Sequence, residues 1–523
     1  MLNKKLPLSE TRTFSNFFLD YLEHKQNLKP FYHRFPSPEN FNAQITDKST
    51  HFTDHHRQVL ADVLEQQYAG LEQVPAVKAN LTALRDRKTF TITTGHQLNI
   101  FTGPLYFIYK IVTVINVCRE LKLKYPEYSF VPVYWMASED HDYDEIKYFW
   151  LYGKKYVWET DQKGAVGRFK TDNLQALVNE VPGDVGIFRD AYLKHKTLAE
   201  AARHYVHALF GAEGLVVIDP DDHRLKSLFK TEMTADILAG STLPLVEETN
   251  KSLEQLKYRT QVYCRSINFF YLDNQLRNRI EKRNGEYHVL ETDLRFSEQE
   301  ITSLIDTTPE KFSPNVILRP LYQECILPNL AYIGGPAEVT YWLQLKRVFD
   351  HHGIPFPILM PRNFGLVVES QIQQKFEKTG LDLQLLFEEK NFIFNHWVVK
   401  NTKHNLTVGP ERNTISDIFE QLRERAASID KTLEPFVGAE GKRAMNSLEK
   451  IERKLLRAEK RFQSDKLRQI ESDKDTLFPN GGLQERHDNF LNFYQQDNLF
   501  ISRLLEHFDA FDFKFNVLIY TRV

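Results

Sequence analysis

The sequence contains few cysteines and no long apolar segment. Its three cysteines, Cys118, Cys264 and Cys325, are far apart and form no C-x-x-C pair, which argues against a disulfide framework and a zinc cluster. No apolar run approaches the ~20 residues that a membrane-spanning helix needs, and the first residues lack the apolar centre of a signal peptide. We therefore expect a soluble, cytoplasmic protein with no membrane association.

The sequence also has no excess of charge of one sign. Lys and Arg number 67, Asp and Glu number 70, and the formal net charge is -3. This balance provides no positive field for nucleic acid, so we expect no nucleic acid partner. A chain of 523 residues is too long for one ordinary core, which predicts two or three domains or large insertions.

Apolar patterning alternates between short and long periods from Phe90 onwards, after a helical part over residues 10–85. The predicted strands are Phe90–Thr94, Phe130–Ala137, Leu215–Asp219, the surroundings of Ile317–Leu318, Leu330–Ile333 and Pro357–Met360. The predicted helices are Pro104–Tyr125, Thr197–Phe210, Asp222–Leu238, Ala337–His351 and Glu369–Lys378. Such alternation indicates an α/β fold with a parallel sheet, in which ligands bind beyond the carboxyl ends of the strands.

Three further segments depart from this alternation. Residues 147–170 have aromatic, two-residue periodicity and predict a hairpin insertion, and residues 261–305 predict a second α/β insertion. Residues 511–520 predict a strand that returns to the core.

An apolar stripe with charged flanks follows residue 410 and predicts an antiparallel helical hairpin of coiled-coil type, with a break at Val437-Gly438. An ordinary surface helix pair is the alternative, but the narrow stripe favours an exposed seam and therefore a homodimer. The stripe consists of Ile415, Ile418, Leu422, Ile429, Leu433, Phe436, Leu448, Ile451, Leu455, Ala458 and Phe462.

The segment FTITTGHQLNIFTGPLYF (residues 90–107) places Gly95, His96 and Gln97 between a predicted strand and a helix N-terminus. Backbone N–H groups and the helix dipole favour anionic or carbonyl-bearing ligands there. His96 could donate a hydrogen bond, act as a cation or exchange protons, because histidine titrates near neutrality. The alternative is a structural turn, in which a neighbouring carbonyl satisfies the imidazole.

Acidic side chains concentrate in residues 138–145, around His141. Three interpretations are open: a solvated cap, a metal site, and a site for a substrate ammonium with one carboxylate as general base. The third is preferred, because a cation must relieve the repulsion among the carboxylates. These carboxylates are Glu139, Asp140, Asp142, Asp144 and Glu145.

A third polar loop, residues 332–338, contains Gly-Gly-Pro at positions 334–336 before a predicted helix. Glycine allows close approach of the backbone and proline suits the first helical turn, so the loop predicts a cradle for phosphate or carboxylate. Arg319 and Arg362 could bind carboxylates through two parallel hydrogen bonds. The alternatives are a tight turn and surface ion pairs.

Five segments together resemble one known family, the bacillithiol synthases, which are the cysteine ligases of bacillithiol biosynthesis. The segments are GHQLNIFTGPLYFIYK (95–110), VPVYWMASEDHDYDEI (131–146), GLVVIDPDD (214–222), SPNVILRPLYQECILPNLAYIGGPAEVTYW (313–342) and ILMPRNF (358–364). The resemblance spans essentially the whole chain. Many relatives carry Gly-Gln-Gln at positions 95–97, which makes Gln97 the shared polar group of the first loop.

The resemblance implies a Rossmann-like parallel-sheet core related to nucleotidyltransferases and class I aminoacyl-tRNA synthetases, with two connecting insertions and a dimerising C-terminal coiled coil. It divides the chain into core segments, insertions, coiled coil and a C-terminal return. The core segments are 1–85, 86–146, 183–240 and 311–405, the insertions are 147–182 and 241–310, the coiled coil is 406–480 and the return is 481–523.

The resemblance also implies a reaction, in which the carboxyl group of cysteine is joined to the amine of glucosaminyl malate. ATP, or a product such as ADP, is the hypothetical nucleotide, with no metal beyond nucleotide-bound Mg. The synthetase signatures His-Ile-Gly-His and Lys-Met-Ser-Lys-Ser are both absent. Two other functions stay open: a metal-dependent hydrolase that uses residues 138–145, and a non-catalytic coiled-coil adaptor that binds nucleotide.

The candidate site follows from the three loops and the resemblance. The predicted catalytic residues are His96, Gln97, Glu139 and Asp140. The predicted substrate- or nucleotide-binding residues are Gly95, Asn99, Gly103, His141, Arg319, Tyr332, Gly334, Gly335, Glu338, Arg362 and Asn363.

Overall fold

The computed structural model describes residues 1–520. The strands of this range are β1 (Leu2–Leu6), β2 (Thr89–His96), β3 (Ser129–Met136), β4 (Tyr148–Leu151), β5 (Lys154–Val157), β6 (Val216–Ile218), β7 (Phe269–Asp273), β8 (Leu276–Arg283), β9 (Glu286–Val289), β10 (Arg295–Phe296), β11 (Phe312–Pro314), β12 (Asn329–Gly334), β13 (Ile358–Pro361), β14 (Phe364–Glu369) and β15 (Phe515–Tyr520).

The α-helices of the same range are α1 (Asn16–Leu22), α2 (Phe41–His51), α3 (Asp54–Gln67), α4 (Pro75–Ala83), α5 (Tyr106–Lys124), α6 (Tyr143–Ile146), α7 (Leu174–Glu180), α8 (Gly186–Lys194), α9 (Leu198–Phe210), α10 (His223–Ser227), α11 (Lys230–Ile237), α12 (Thr242–Gln255), α13 (Glu298–Thr307), α14 (Arg319–Ile326), α15 (Pro336–Trp342), α16 (Lys346–His352), α17 (Ser370–Lys378), α18 (Lys390–Asn401), α19 (Gly409–Ile429), α20 (Glu434–Phe462), α21 (Ser464–Leu477), α22 (Leu491–Tyr494) and α23 (Phe500–His507).

Five parallel strands form the central sheet, in the order β13-β12-β2-β3-β6. Counted along the chain they stand 5-4-1-2-3, the order of a Rossmann-like sheet. The strand order reverses between β2 and β12, and ligands of such sheets bind in the crevice at that reversal. All eight residues of β2 are buried, and α5 packs against β2 and β3. The predicted α/β fold with a Rossmann-like core is therefore confirmed.

Five of the six predicted core strands are present, with ends shifted by one or two residues. The sixth, at Ile317–Leu318, is wrong, because Leu318 directly precedes α14. The side-chain oxygen of Asn315 accepts hydrogen bonds from the backbone N–H groups of both residues, and Pro320 lies in the first turn of the helix. A turn closed by the Asn315 side chain, followed by proline in the first helical turn, starts a helix here.

Two predicted helices are each divided. Residues 222–238 form α10 and α11, and residues 337–351 form α15 and α16 with a 3-10 turn between them. Between α10 and α11, Phe229 leaves helical geometry and its fully buried ring packs near Phe269 and Tyr322. Tertiary packing therefore interrupts a continuous helical pattern.

Both insertions contain strands. β4 and β5 form an antiparallel hairpin. The second insertion contributes β7 to β10 to an antiparallel sheet in the order β10-β9-β8-β7-β11. A further sheet, β1-β15-β14, contains the predicted C-terminal strand, which starts at Phe515 rather than residue 511. Residues 521–523 of the predicted return segment lie outside the described residues. The exact segment boundaries stay predictions.

The C-terminal hairpin consists of α19 and α20, which pack against each other. The predicted break at Val437-Gly438 is wrong, because both residues lie inside α20. The chain turns instead at Asp430, which has extended backbone geometry and accepts a hydrogen bond from the N–H of Thr432. Pro435 then stands in the first turn of α20, where proline is favoured. Among the described residues, no helix has the length and apolarity that crossing a bilayer requires.

Candidate functional site

A cavity of about 710 Å³ opens at the carboxyl ends of β2, β3 and β12. It lies over the reversal of strand order, and the second insertion contributes Phe269, Phe270 and Arg277 to its wall. The three polar loops therefore meet in space as predicted, while the roles of their residues stay predictions. The predicted residues that line the cavity are Gly95, His96, Gln97, Glu139, Asp140, His141, Arg319, Tyr332, Gly335, Glu338 and Arg362.

His96 is buried at the end of β2, with 9% of its surface exposed and the rings of Tyr106 and Phe107 beside it. Burial, reinforced by the charge of Lys110, lowers the pKa of His96 to about 3. Burial thus favours the neutral imidazole over the cation, which was one of the predicted roles of His96. The imidazole can still form hydrogen bonds, since Nε2 has no partner within residues 1–520.

Asp140 connects the first two loops to the second insertion. Its Oδ2 accepts a hydrogen bond from Gln97 Nε2 at 3.0 Å, and its Oδ1 accepts one from the backbone N–H of His141 at 2.7 Å. Arg277 Nη1 lies 3.5 Å from Oδ1. Arg277 also contacts His141 Nδ1 and lies over the ring of Phe270. The Asp140 carboxylate, 28% exposed, thus keeps a partly open face in the cavity.

Glu139 forms a buried ion pair with Lys226, a residue of α10. Its Oε1 lies 2.5 Å from Lys226 Nζ, which also donates to the carbonyl of Phe312 at 2.8 Å. Burial raises the pKa of Glu139 and lowers the pKa of Lys226, and their mutual attraction opposes both shifts. Glu139 therefore takes up a proton more readily than an exposed glutamate.

The repulsion within the acidic loop is relieved by the protein's own cations. Lys226 faces Glu139 and Arg277 faces Asp140, so a substrate ammonium is not required for that purpose. Among residues 1–520, no group of three or more His, Cys, Asp or Glu side chains is placed to hold a metal ion. The metal-site interpretation of this loop thus gains no geometric support.

The predicted anion cradle at residues 334–335 is filled by Glu338. Its Oε2 accepts the N–H of Gly335 at 2.8 Å, and its Oε1 accepts the hydroxyl of Tyr332 at 2.6 Å. Lys110 Nζ lies 2.6 Å from Oε2. Burial alone would raise the pKa of Glu338, but Lys110 and these hydrogen bonds hold the pKa below its usual value. The prediction of an external anion on Gly335 is wrong for this arrangement, because the helix caps itself.

The two predicted arginines differ in their partners. Arg362 pairs with Glu485 at 2.6 Å, and both side chains are buried. Arg319 lies among the rings of Trp135, Tyr332 and Trp342 and donates to Gln323 at 3.1 Å. No carboxylate of the described chain forms an ion pair with Arg319. Arg319 is therefore the better candidate for binding an anionic ligand.

Four predicted binding residues do not line the cavity. The side chain of Asn363 accepts the hydroxyl of Thr113 at 2.9 Å and donates to the carbonyl of Asp509 at 2.7 Å. Asn489 donates to the carbonyl of Gly103 at 2.6 Å. These contacts are within the protein, and the predicted ligand roles of the four residues gain no support from the cavity lining. The four residues are Asn99, Gly103, Gly334 and Asn363.

Sequence reasoning missed several basic residues of this site, among them Lys110, Lys226 and Arg277. Lys110 carried a signal, because it is the one charged residue in the apolar run from Tyr106 to Cys118. No sequence signal distinguished Lys226 or Arg277, since each lies in an ordinary polar stretch.

The cavity is more positive than the chain that surrounds it. Seven Lys and Arg side chains line it, against four carboxylates, although the whole chain has a net charge of -3. The carboxylates are Glu139, Asp140, Asp142 and Glu338, and the cations are Lys110, Arg265, Arg277, Arg279, Arg319, Arg362 and Arg486. Such a cavity favours anionic ligands.

The sheet order and the cavity at its reversal define a Rossmann-like α/β protein with a C-terminal helical hairpin. Residues 1–363 match the family model of the "Bacillithiol biosynthesis BshC, N-terminal Rossmann-like domain". Residues 365–520 match the "Bacillithiol biosynthesis BshC, C-terminal coiled-coil domain". The chain belongs to the BshC family of bacillithiol biosynthesis.

Curated relatives agree with this assignment. A Flavobacterium psychrophilum protein named "Putative cysteine ligase BshC" is 43% identical over 492 residues, with 92% of each chain covered. A protein of the same name from Flavobacterium johnsoniae is 41% identical, with 97% of each chain covered. One from Bacillus licheniformis is 29% identical, with 92% of this chain and 94% of the relative covered. These names support a ligase role in bacillithiol biosynthesis.

Proposed function

We propose that this protein joins the carboxyl group of L-cysteine to the amine of glucosaminyl malate, the last step of bacillithiol biosynthesis. The observation that carries the proposal is the cavity at the reversal of strand order, with seven cationic side chains and four carboxylates. Glucosaminyl malate carries two carboxylates, and cysteine carries one. A positively charged, partly enclosed cavity attracts such substrates, and its acidic side offers acceptors for their amines. A cytoplasmic location is proposed together with this role.

In the proposed reaction, the amine nitrogen attacks the carbonyl carbon of an activated cysteine. The C–N bond forms, the bond to the activating leaving group breaks, and the amine gives up a proton. Asp140 is assigned to orient the amine and accept that proton, since its carboxylate keeps a partly open face in the cavity. Gln97 holds this carboxylate in place. Glu139, whose pKa burial raises, is the second acceptor.

Activation of the carboxyl group is part of the proposal, because amide formation from a free carboxylate and an ammonium ion is unfavourable in water. ATP is the proposed source, with Mg only as its counter-ion. The N-terminus of α15 does not fit a phosphate group in this arrangement, since Glu338 already binds the N–H of Gly335. Phosphate groups would instead have to use the cationic side chains of the cavity, such as that of Arg319. The cavity volume of about 710 Å³ lies in the usual range for ligand pockets.

Asp140→Asn tests the proposed role of the acidic loop. With cysteine, glucosaminyl malate and ATP present, mass spectrometry should show product formation slowed by roughly 10²- to 10⁴-fold, the usual loss of a general base. Asp144→Asn is the matched control, because Asp144 is 87% exposed and pairs only with Lys147. Full activity of Asp140→Asn, with circular dichroism unchanged, would remove the acidic loop from the chemistry.

We further propose that a second copy of the chain covers the α19–α20 hairpin. No residue of α19 is buried, and eight large apolar side chains of the hairpin are at least 39% exposed. A stripe of this kind is typical of a coiled-coil interface. The exposed residues are Ile418, Leu422, Ile429, Leu433, Phe436, Ile451, Leu455 and Phe462.

A further inference from the structure

Lys110 is a buried cation inside an apolar helix. It is the one charged residue of α5 between Tyr106 and Cys118, and only 3% of its surface is exposed. Nevertheless it lines the cavity. Burying an ammonium group is unfavourable unless partners compensate for the lost water, so the contacts of Lys110 define what it does.

Two partners hold the Lys110 ammonium across the reversal of strand order. Its Nζ donates to the carbonyl of Gly95 at 2.8 Å, at the end of β2. It also lies 2.6 Å from Oε2 of Glu338, in the first turn of α15 directly after β12. Lysine carries three donors, and residues 1–520 give Lys110 no third acceptor. The remaining N–H group is thus available in the crevice where ligands of this sheet type bind.

The charges around Lys110 leave this crevice positive. Glu338 faces Lys110 itself, and Glu485 compensates the charge of Arg362. Arg319 has no carboxylate partner in the described chain, and its guanidinium group faces Gly95, where an added Cβ atom would lie 3.5 Å from its Nη1. Two adjacent cations therefore face one carboxylate, and an incoming anion would balance the charge.

We propose that Lys110 is a substrate-binding residue that donates its remaining N–H group to an anionic oxygen of the ligand, from a carboxylate or a phosphate group. The inference rests on the proposed function and deepens it. In this proposal the anion binds to Lys110, which is held between the first and third loops, and not to the glycine cradle that the sequence predicted.

The alternative is a purely structural ion pair, and a matched pair of variants separates the two. Lys110→Met alone would leave Glu338 partly buried without its cation and would endanger folding. Glu338→Gln and Lys110→Met/Glu338→Gln differ only at Lys110, and neither leaves that carboxylate uncompensated. Isothermal titration calorimetry on the full chain then measures the binding of glucosaminyl malate, cysteine and ATP separately.

We expect the double variant to bind at least one of these ligands roughly 10- to 100-fold more weakly than Glu338→Gln, as when a charge-assisted hydrogen bond is lost. Glu338→Gln is the reference for this comparison, because the charge of Lys110 is the only charge by which it differs from the double variant. Weaker binding of ATP alone would identify the anion that Lys110 binds as a phosphate group. Weaker binding of glucosaminyl malate or cysteine would identify a carboxylate.

Equal affinities of the two variants for every ligand that wild type binds would overturn the inference. A wild-type protein that binds none of the three ligands would overturn it as well. If only the proposed function fails, the result is different. The ligands would bind with affinities that depend on Lys110, but no coupled product would form.

Discussion

Removing the ammonium group of Lys226 should destabilise the protein more at alkaline than at acidic pH. Lys226→Met leaves Glu139, 7% exposed, without the cation that lies 2.5 Å from its Oε1. Removing one partner of a buried ion pair costs about 3–5 kcal/mol. The same variant removes the hydrogen-bond donor of the Phe312 carbonyl, and the cost of this lost hydrogen bond is included in that estimate.

The pH dependence follows from the pKa of Glu139. Burial already raises this pKa, and Lys226 is the main group that opposes the shift, so Lys226→Met should raise the pKa further. A carboxyl group whose pKa is raised in the folded state favours folding below its unfolded pKa, and that contribution is lost as the pH rises through the folded pKa. Each unit of difference between the folded and unfolded pKa corresponds to about 1.4 kcal/mol of stability. The stability that Lys226→Met removes should therefore be small near pH 5 and largest near pH 8.

Urea unfolding, followed by tryptophan fluorescence at both pH values, measures this effect. Glu139→Gln/Lys226→Met is the control, because it removes the carboxylate as well as the cation. We expect the double variant to lose less stability than Lys226→Met near pH 8 and to lose the same amount at both pH values. Equal, pH-independent losses in the two variants would refute the reasoning that a buried charge is left behind.

Three further predictions concern packing and assembly. Gly167→Ala places a Cβ atom 2.5 Å from that of Ser138, so it should cost about 1–3 kcal/mol in urea unfolding; an unchanged midpoint would contradict this. Gly438→Ala, in open space inside α20, should instead stabilise that helix by about 0.5–1 kcal/mol, which a lowered midpoint would disprove. Phe436→Glu, at a side chain 63% exposed, should give monomers in light scattering while Lys442→Glu stays dimeric; monomeric wild type would rule out the dimer.

The central sheet could be predicted because its strands are buried on both faces, so their sequences are short apolar runs. The Ile317–Leu318 run shows the limit of this signal, since two apolar residues are also compatible with a helix start. Asn315 and Pro320 decided the outcome. In the hairpin, Gly438 suggested a break, yet one glycine costs a long helix such as α20 only about 1 kcal/mol. Asp430 and Pro435 marked the turn instead.

The position of the site could be predicted because the carboxyl ends of parallel strands meet at one edge of the sheet. The pairing of its charges could not be predicted, since Lys110 and Glu338 are 228 positions apart in the sequence and meet only in the folded chain. The same holds for Glu139 with Lys226. Periodicity indicates which face is buried, but it does not indicate which acid neutralises which base.

The most direct test of the proposed ligase is product formation by the purified wild-type protein. Cysteine labelled with ¹⁸O in its carboxyl group, glucosaminyl malate and ATP are incubated together, and the products are analysed by mass spectrometry. The proposal predicts bacillithiol only when ATP is present, with one labelled oxygen transferred to AMP or to phosphate. A folded protein that binds these substrates but forms no bacillithiol would contradict the proposal.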